Sequence, residues 1–223
     1  LRTCTQLEQD GPTFNHVLKD VVAAPHALAL ALNPKILSIV SDHLGCAPTV
    51  MDLQAWRTES KISDDYGAHM FHRDRDDFRA CKLFLYLSDV DTDDGPHVFA
   101  RNSHDPEFVE SILASQGIPA DQAGLLFAAN GRAYAEKIPK LFGAHVLEVL
   151  GPTGTCFLEN TFGFHRGKNP RRNARSVFQV AYGTTAFPGR LQRMTSVRLD
   201  RLPSTCFDTE LTRHAARLLL GNG

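Results

Sequence analysis

The chain has 223 residues, which is enough for one domain with a substantial hydrophobic core. Hydrophobic residues make up 43% of it and charged residues 22%, so the composition is that of an ordinary globular protein and excludes collagen-like, coiled-coil and disordered classes. Because the formal net charge is −1, the overall field attracts neither nucleic acid nor an anionic membrane, and we expect one globular unit over residues 1–223 with neither among its partners.

Helical patterns dominate the first third of the chain. Thr13–Leu32 has helix-type apolar spacing that is broken at a proline. Asn33 and Pro34 then give an N-cap followed by proline at the first helical position, and the apolar stripe that follows ends at Gly45. We therefore predict an N-terminal helical part over about residues 13–45 that packs on one face of a sheet.

From about residue 50 the apolar period changes to two, which is typical of half-buried strands. Turn clusters separate the runs, residues 105–142 interrupt them with helical patterning, and an amphipathic helix over about residues 208–220 closes the chain. The candidate strands are Val50–Thr58, His69–Asp74, Lys82–Leu87, His97–Ala100, His145–Val149, Thr155–Glu159 and Ser176–Tyr182. The pattern predicts a mainly β domain with flanking helices, an antiparallel double sheet whose core spans about residues 50–200.

A histidine and a carboxylate two residues apart, His72 and Asp74, end one of the strand-like runs. Residues i and i+2 of a strand point to the same face, so one imidazole nitrogen and one carboxylate oxygen could converge on one metal ion. Two histidines and one carboxylate on one face of a metal are the ligand set of iron(II) oxygenases. Alone the motif is weak, because a chain with ten histidines contains such pairs by chance.

The third ligand is predicted in the segment 154–167, where a strand leads to His165 among aromatic and glycine residues. Glycine there lets the backbone approach a bound ligand closely. Ten residues later, Arg175 opens a β-branched and aromatic run, and an arginine at the mouth of a barrel strand can hold a carboxylate through two charge-assisted hydrogen bonds. A dicarboxylic co-substrate is therefore favoured, although the spacing leaves Arg171 and Arg172 as alternatives.

With these segments in place, the sequence resembles the phytanoyl-CoA dioxygenase-like family of 2-oxoglutarate oxygenases over residues 33–182. The matching stretches are 33–37 with 44–45, 71–74, 82–91, 95–97 with 102–104, and 163–167 with residue 175. The family's H-x-D motif and distal histidine correspond to His72, Asp74 and His165, which would be the metal ligands and catalytic residues. Its 2-oxoglutarate arginine corresponds to Arg175. The implied fold is a double-stranded β-helix, a cupin-like jelly roll.

The resemblance implies an iron(II)- and 2-oxoglutarate-dependent dioxygenase that hydroxylates a small-molecule substrate with O2 and releases succinate and carbon dioxide. Iron(II) would be the metal, 2-oxoglutarate the co-substrate, and Arg175 the partner of its 5-carboxylate. A related branch of such enzymes replaces the carboxylate ligand by a small residue and binds halide, so Asp74 favours hydroxylation over halogenation. The alternative is a cupin-type metal- or ligand-binding protein without oxygenase activity. The sequence predicts neither the substrate nor the oligomeric state.

Two features lie outside the ligand pattern. The family often has a glycine before its Ser-His pair, where this chain has Asn102, so the geometry of that turn is in question. Residues 116–140 interrupt the strand series between the two ligand segments, and we expect them to form the lid of the substrate pocket.

Several other histidines compete for the position of third ligand, and the family pattern favours His165 over them. The competitors are His69, His97, His104 and His145. His97 and His104 fall in a turn-rich stretch, where surface exposure is the default. His69 precedes His72 by three residues and would face the opposite side of an ideal strand, so we expect it to pack or to support a ligand.

The predicted strand Lys82–Leu87 carries Lys82 and Tyr86 on one face and leucines on the other. If the leucines face helices, Lys82 and Tyr86 reach toward the barrel interior, where Lys82 would be a co-substrate-binding residue; a surface lysine is the alternative. Trp56, the only tryptophan, is expected in the core.

A basic stretch over residues 166–175 lacks the interleaved aromatic residues of a base-stacking surface. Within it, Arg171 and Arg172 are expected in a solvated loop, with contact to an anionic substrate as the alternative.

The five cysteines are scattered, and no two form a C-x-x-C pair, so buried free thiols are the simplest interpretation. No stretch resembles a signal peptide, and the longest apolar run falls short of the roughly 20 residues that a membrane span needs. We therefore predict a reducing, cytoplasmic setting. The chain begins at Leu1, which is compatible with a missing native N-terminal segment.

Overall fold

The computed structural model describes residues 7–10, 13–16, 18–24, 26–60, 67–119, 121–127, 135–185 and 208–219. The strands are β1 (Leu7–Asp10), β2 (Thr13–His16), β3 (Thr49–Thr58), β4 (Ala80–Tyr86), β5 (His97–Ala100), β6 (Val146–Val149), β7 (Cys156–Glu159), β8 (His165–Gly167) and β9 (Arg175–Gly183). The α-helices are α1 (Leu18–Ala23), α2 (Ala27–Ala31), α3 (Pro34–Leu44), α4 (Pro106–Ser115), α5 (Asp121–Phe127), α6 (Ile138–Phe142) and α7 (Glu210–Ala215). Two short 3-10 helices lie at Gly67–His69 and Gly143–His145.

Two antiparallel sheets organise the strands. The large sheet has the order β1-β2-β3-β9-β4-β7, and the small sheet has the order β6-β5-β8. The longest pairing joins β3 and β9, from Thr49 opposite Gly183 to Thr58 opposite Arg175. A double sheet with helices outside it is the predicted jelly-roll class, so the fold prediction is confirmed.

Side-chain alternation decides which face of the large sheet meets the helices. On β4, Leu83 belongs to the main hydrophobic cluster, which includes side chains of α1, α2, α3 and α7, and the partly buried Leu85 and Leu87 pack against that cluster. Phe84 and Tyr86 point the other way, into a cavity. The predicted division of this strand, leucines toward helices and Tyr86 toward the interior, is confirmed.

Helix α3 begins and ends where the sequence predicts. The side-chain oxygen of Asn33 accepts hydrogen bonds from the backbone N–H groups of Lys35 and Ile36, at 3.0 and 3.4 Å. Gly45 ends the helix with φ of 75°, in the left-handed region that glycine adopts without strain. The stripe that faces the sheet consists of Leu37, Val40 and Leu44.

The N-terminal helical prediction is wrong at its start. Thr13–His16 is a strand whose Asn15 lies opposite Trp56 of β3, whereas the helical part begins only at Leu18–Ala23. Four residues are too few for apolar spacing to separate helix from strand, and pairing along the edge of β3 satisfies their backbone groups. The consequence is functional, since the added strand widens the sheet that carries the cavity.

The other helical predictions fare better. Three helices, α4, α5 and α6, occupy the predicted helical interval, and α7 begins after Thr209, whose side chain accepts a hydrogen bond from the backbone N–H of Thr212. None of the helices in the described part of the chain is long and apolar enough to cross a membrane.

The cysteines correct another expectation. Cys46, Cys81 and Cys156 are free, but only Cys81 is buried, so burial was predicted wrongly for the other two. Cys4 and Cys206 lie outside the described residues.

Candidate active site

A cavity of about 330 Å³ is lined by residues of both sheets. Its wall includes His72, Asp74 and His165, which form a group of potential metal ligands, and also Arg175. The structure therefore brings together in one cavity the four residues that carry the sequence prediction.

A single isolated bridge brings the two ligand segments together. His72 and His165 exchange backbone N–H to C=O hydrogen bonds, both 2.9 Å long. Two residues on, the N–H of Asp74 donates to the carbonyl of Thr161 at 2.8 Å. The predicted strand His69–Asp74 is therefore wrong as a strand, because its first residue ends a 3-10 helix and only His72 makes a ladder pair. The pairing still places both ligand segments against each other.

The three potential ligands are close enough to share one ion. Nε2 of His72 lies 3.6 Å from Oδ1 of Asp74, and Nε2 of His165 lies 3.4 Å from Oδ2. All three ligand atoms fall within 4.8 Å of one another. Bonds of about 2.1 Å to a common metal put neighbouring ligand atoms about 3 Å apart, so the set needs only a small contraction. Two imidazoles and one carboxylate match the facial triad of non-haem iron(II).

Backbone carbonyls fix which nitrogen of each imidazole is available. Nδ1 of His72 donates to the carbonyl of Met70 at 2.9 Å, and Nδ1 of His165 donates to the carbonyl of Gly163 at 3.0 Å. A carbonyl oxygen can only accept, so Nδ1 carries a proton in both rings, and Nε2 is the nitrogen that can bind a metal when it is deprotonated. The Nε2 atoms of both rings therefore already face Asp74, on the side where a shared metal ion would lie, and neither ring has to turn to bind it.

The carboxylate of Asp74 is kept ionised by its neighbours. Burial alone would raise its pKa, but the hydrogen bond and charge of His165, together with the charges of Lys82 and His72, hold the pKa well below its usual range. Lys82 forms an ion pair with Asp74 and a second one, of 2.9 Å, with Asp76. These two carboxylates outweigh burial and raise the pKa of Lys82. Asp74 is therefore ionised, which is the form of the carboxyl group that binds a metal.

Arg175 is the residue of the cavity wall whose charge lacks a counterpart. Its side chain is 3% exposed, Nη1 donates to the carbonyl of Gly95, and Nε has no hydrogen-bond partner in the part of the chain that the structure describes. No acidic side chain among the described residues forms an ion pair with it, and burial lowers its pKa to about 10. Gly167 makes room for it, since a Cβ there would lie 2.6 Å from Nη2. A buried guanidinium that lacks an anion is costly unless a ligand supplies one.

The competing arginines do not reach the cavity. Arg171 and Arg172 are both exposed, and Arg172 forms ion pairs with Asp91 and with Asp94 in the turn before β5. Of these three arginines, Arg175 lines the cavity, and Arg171 and Arg172 do not.

His97 and Glu159 are neighbours of the triad that the sequence interpretation missed. His97 was expected at the surface, but it is buried on β5 and its ring lies nearly parallel to that of His165, 5.7 Å away. Nε2 of His97 is 2.5 Å from Oε2 of Glu159, and Oε1 of Glu159 is 3.6 Å from Nδ1 of His165. The usable signal was the two-residue period of both strands, which puts these side chains on an inner face.

The same carboxylate influences the ligand histidine. Burial would lower the pKa of His165, but the charge of Glu159, followed by the hydrogen bond and charge of Asp74, outweighs it and raises the pKa. Glu159 therefore increases the basicity of His165 through its charge, while the carbonyl of Gly163 holds the Nδ1–H of the ring.

Other expected residues are placed as follows. His69 is buried, and its Nδ1 hydrogen-bonds the carbonyl of Gly167 at 2.8 Å, a supporting position as predicted. Trp56 is half-buried and lines the cavity, so its assignment to the core was incomplete.

No described residue in the interval 116–140 lines the cavity, which leaves the predicted lid without support. Asn102 has φ of 60° and takes the left-handed conformation that a glycine would supply.

Comparison with known proteins confirms the fold. No protein-family model matches the chain, and no curated protein sequence matches it. Among solved structures, HygX from Streptomyces hygroscopicus with nickel and 2-oxoglutarate bound is similar with a TM-score of 0.51 at 18% identity, over 82% of this chain and 74% of HygX. The non-haem α-ketoglutarate-dependent epimerase SnoN from nogalamycin biosynthesis has a TM-score of 0.54 at 18% identity, over 80% of this chain and 66% of SnoN. At these identities the likeness establishes that the chain has the jelly-roll fold of such enzymes.

Proposed function

We propose that this chain is an iron(II)- and 2-oxoglutarate-dependent dioxygenase that hydroxylates a small-molecule substrate. One observation carries the proposal. The triad of His72, Asp74 and His165 shares its cavity with Arg175, a buried guanidinium that lacks an anionic partner among the described residues. A metal site alone fits many proteins, whereas a metal site facing an unpaired buried cation fits a ligand that chelates the metal at one end and is anionic at the other.

The residues fit iron(II) as a resident metal. His72 and His165 would each offer Nε2, and Asp74 would offer one carboxylate oxygen, leaving the remaining metal positions for co-substrate and O2. When bound, iron(II) with 2-oxoglutarate supplies the oxidising chemistry, in which O2 is consumed and the co-substrate leaves as succinate and carbon dioxide. HygX, of similar fold, has been crystallised with nickel and 2-oxoglutarate.

Arg175 would hold the far carboxylate of 2-oxoglutarate. Its planar guanidinium can pair with a carboxylate through two charge-assisted hydrogen bonds, and burial strengthens that pairing because water does not compete. The hydroxyl of Tyr86 is engaged on both sides, since it donates to Val149 and accepts from the N–H of His97, at 2.8 and 2.9 Å. It therefore shapes this end of the cavity without offering a hydrogen to the ligand.

Apolar side chains beside these groups would keep water out. Phe84 stacks on Phe157 with ring centroids 5.2 Å apart, and Val177 joins them in one hydrophobic cluster. Such walls protect a reactive oxidant from unproductive reaction with solvent. Lys82 remains a proposed co-substrate neighbour, but its ion pairs with Asp74 and Asp76 favour a role in holding the metal-binding carboxylate.

We place the chain in the phytanoyl-CoA dioxygenase-like branch on the motif pattern around His72 and His165, and we expect hydroxylation because Asp74 is retained. A reducing, cytoplasmic setting is proposed from the free thiols of Cys46, Cys81 and Cys156.

Turnover of 2-oxoglutarate without added substrate tests the proposal. Purified chain supplied with iron(II), O2 and 2-oxoglutarate should release succinate slowly, and the release should stop when iron is chelated. Arg175→Ala should abolish the release while iron is still bound. If iron binds but wild type forms no succinate, the chain is a cupin-type metal-binding protein instead. If the Arg175→Ala protein consumes 2-oxoglutarate like wild type, Arg175 does not hold the co-substrate and the observation that carries the proposal fails.

A further inference from the structure

One lysine joins two carboxylates beside the potential metal ligands. Lys82 is 7% exposed and forms ion pairs with Oδ2 of Asp74 and, at 2.9 Å, with Oδ2 of Asp76. Its backbone lies in β4, opposite Ala181 of β9 on one side and Glu159 of β7 on the other. Asp74 and Asp76 belong to a segment without regular secondary structure. The sheet therefore anchors the lysine, and the lysine holds the segment that carries the metal-binding carboxylate.

The two carboxylate oxygens of Asp74 have different surroundings. Oδ2 forms the ion pair with Lys82 and lies 3.4 Å from Nε2 of His165. Oδ1 lies 3.6 Å from Nε2 of His72 and forms no ion pair with a lysine or arginine of the described residues. An oxygen that already accepts from an ammonium group has less electron density to give a metal. Oδ1 is therefore the oxygen that is left for the metal.

The number of oxygens that Asp74 gives to the metal decides how many positions stay open. A carboxylate can bind a metal through one oxygen or through both. With two histidines and one oxygen of Asp74, an octahedral metal keeps three positions, of which 2-oxoglutarate takes two and O2 takes the third. With both oxygens bound, the co-substrate would fill the site and leave no position for O2. Control of the second oxygen is therefore a requirement of the proposed chemistry.

The second carboxylate shows that Lys82 does more than neutralise Asp74. One ammonium group would balance Asp74 alone, but Lys82 is also paired with Asp76. Two carboxylates and one ammonium group leave one net negative charge, so the group still attracts a divalent cation. The contact with Asp76 also holds the ammonium group in place, and a buried cation with two anionic partners has little reason to leave either.

We propose that Lys82, held by Asp76, is a positioning residue that restricts Asp74 to one metal-binding oxygen and so keeps a third metal position open. The value of that open position rests on the proposed oxygenase function. The binding mode of Asp74 does not, because it concerns the metal and the protein alone. The role differs from contact with the co-substrate, which is the other role open to Lys82.

Manganese(II) counts the open positions, because it accepts octahedral sites and speeds water-proton relaxation in proportion to the water molecules it binds. The full-length protein is loaded with manganese(II), and relaxation is measured before and after 2-oxoglutarate is added. In wild type we expect three bound waters and then one, so the metal-bound contribution should fall to about one third. Lys82→Met should begin at about two thirds of the wild-type value and fall to near zero with 2-oxoglutarate.

Three further variants define the cause. The double variant Lys82→Met/Asp76→Asn removes one ammonium group and one carboxylate, so it keeps the net charge and guards against misfolding caused by unpaired buried carboxylates. It should show the same reduced relaxation as Lys82→Met. Lys82→Arg retains a cation and should restore most of the wild-type value. Lys140→Met is the control and should match wild type, because Lys140 is exposed on α6 and lies outside the cavity.

Affinity for manganese(II) separates positioning from support of the fold. Removing a cation beside the metal weakens repulsion, so Lys82→Met should bind manganese(II) roughly tenfold more tightly than wild type. A residue that merely supported the fold would give the opposite result, since its loss would disorder the ligands. Lower affinity in both Lys82→Met and the double variant would therefore overturn the proposal.

The remaining outcomes separate this inference from the function beneath it. If metal-loaded Lys82→Met relaxes water like wild type without 2-oxoglutarate, Asp74 uses one oxygen without help and the proposal is wrong. If that variant also binds 2-oxoglutarate more weakly, Lys82 is a co-substrate contact instead. If 2-oxoglutarate leaves the relaxation of wild type unchanged, the oxygenase proposal fails, and the comparison without co-substrate still decides the role of Lys82.

Discussion

The metal corner of the cavity, formed by His72, Asp74 and His165, differs from the cavity-facing side of β9 in how its buried polar side chains are hydrogen-bonded. At the metal corner, both Nδ1 atoms of His72 and His165 are held by carbonyls, and Asp74 is held by Lys82. On β9, the buried Nε of Arg175 has no hydrogen-bond partner among the described residues. Metal ligands must be fixed before the metal arrives, whereas groups that receive an organic ligand must be left open. The contrast separates the two roles within one cavity.

The largest expected effect comes from removing the anionic ligand of the metal corner. Asp74→Ala deletes the carboxylate of the triad and leaves Lys82 beside the two histidines, so iron(II) affinity should fall by roughly 100-fold or more. Competition with a coloured chelator measures it. Asp42→Ala is the control, because Asp42 is exposed on α3. An unchanged iron affinity in Asp74→Ala would mean that the triad is not the metal site.

A smaller but more selective effect is expected on β9. Arg175→Met should weaken 2-oxoglutarate binding by roughly 100-fold, the equivalent of about 3 kcal/mol for two charge-assisted hydrogen bonds, and leave iron affinity unchanged. Since the substitution also removes an unpaired buried charge, the ligand-free variant should unfold at the wild-type temperature or above it.

The control for this prediction is Arg172→Met, because Arg172 is exposed and lies outside the cavity. It should bind 2-oxoglutarate like wild type. Equal losses in the two variants, or a large loss of thermal stability in Arg175→Met, would show that Arg175 serves the fold and not the co-substrate.

A smaller effect on iron(II) affinity is expected from Glu159, which lies behind the proposed metal ligand His165. Glu159→Gln keeps the size of the side chain but removes the charge beside His165 and His97, so iron(II) affinity should fall by about tenfold. Glu148→Gln is the control, since Glu148 pairs with Lys168 outside the cavity. If Glu159→Gln shifts neither iron affinity nor the charge-transfer band, the carboxylate is structural only.

The smallest effect is expected at the turn before α4. Asn102 already occupies the left-handed region, so Asn102→Gly should change the free energy of unfolding by no more than about 0.5 kcal/mol, whereas Asn102→Ala should cost about 1 kcal/mol. Denaturant unfolding measures both. Equal effects of the two substitutions would remove the backbone explanation for this departure from the family pattern.

Local signals predicted much of the fold. Helix α3 carries its own N-cap and glycine stop, and β4 shows its two faces in the alternation of leucines with aromatic residues. Both features depend on neighbours in the sequence. The strand Thr13–His16 failed because only its pairing with β3, more than forty positions away, makes it extended.

The candidate site divides in the same way. His72, Asp74 and His165 were predicted from strand geometry and the family pattern, and Arg175 was predicted from its position ten residues after His165. Glu159 carries no motif, and its importance follows from a contact with His97, 62 positions away. His97 and Glu159 are buried because the two sheets pack together, and the sequence of neither strand alone predicts that burial.

Anaerobic absorption spectroscopy tests the central claim most directly. When 2-oxoglutarate is added to the iron(II)-loaded chain without O2, a visible charge-transfer band should grow and saturate at one equivalent, and it should be absent from Arg175→Met at the same concentration. A chain that binds iron(II) at His72, Asp74 and His165 but develops no band at saturating 2-oxoglutarate would contradict the account.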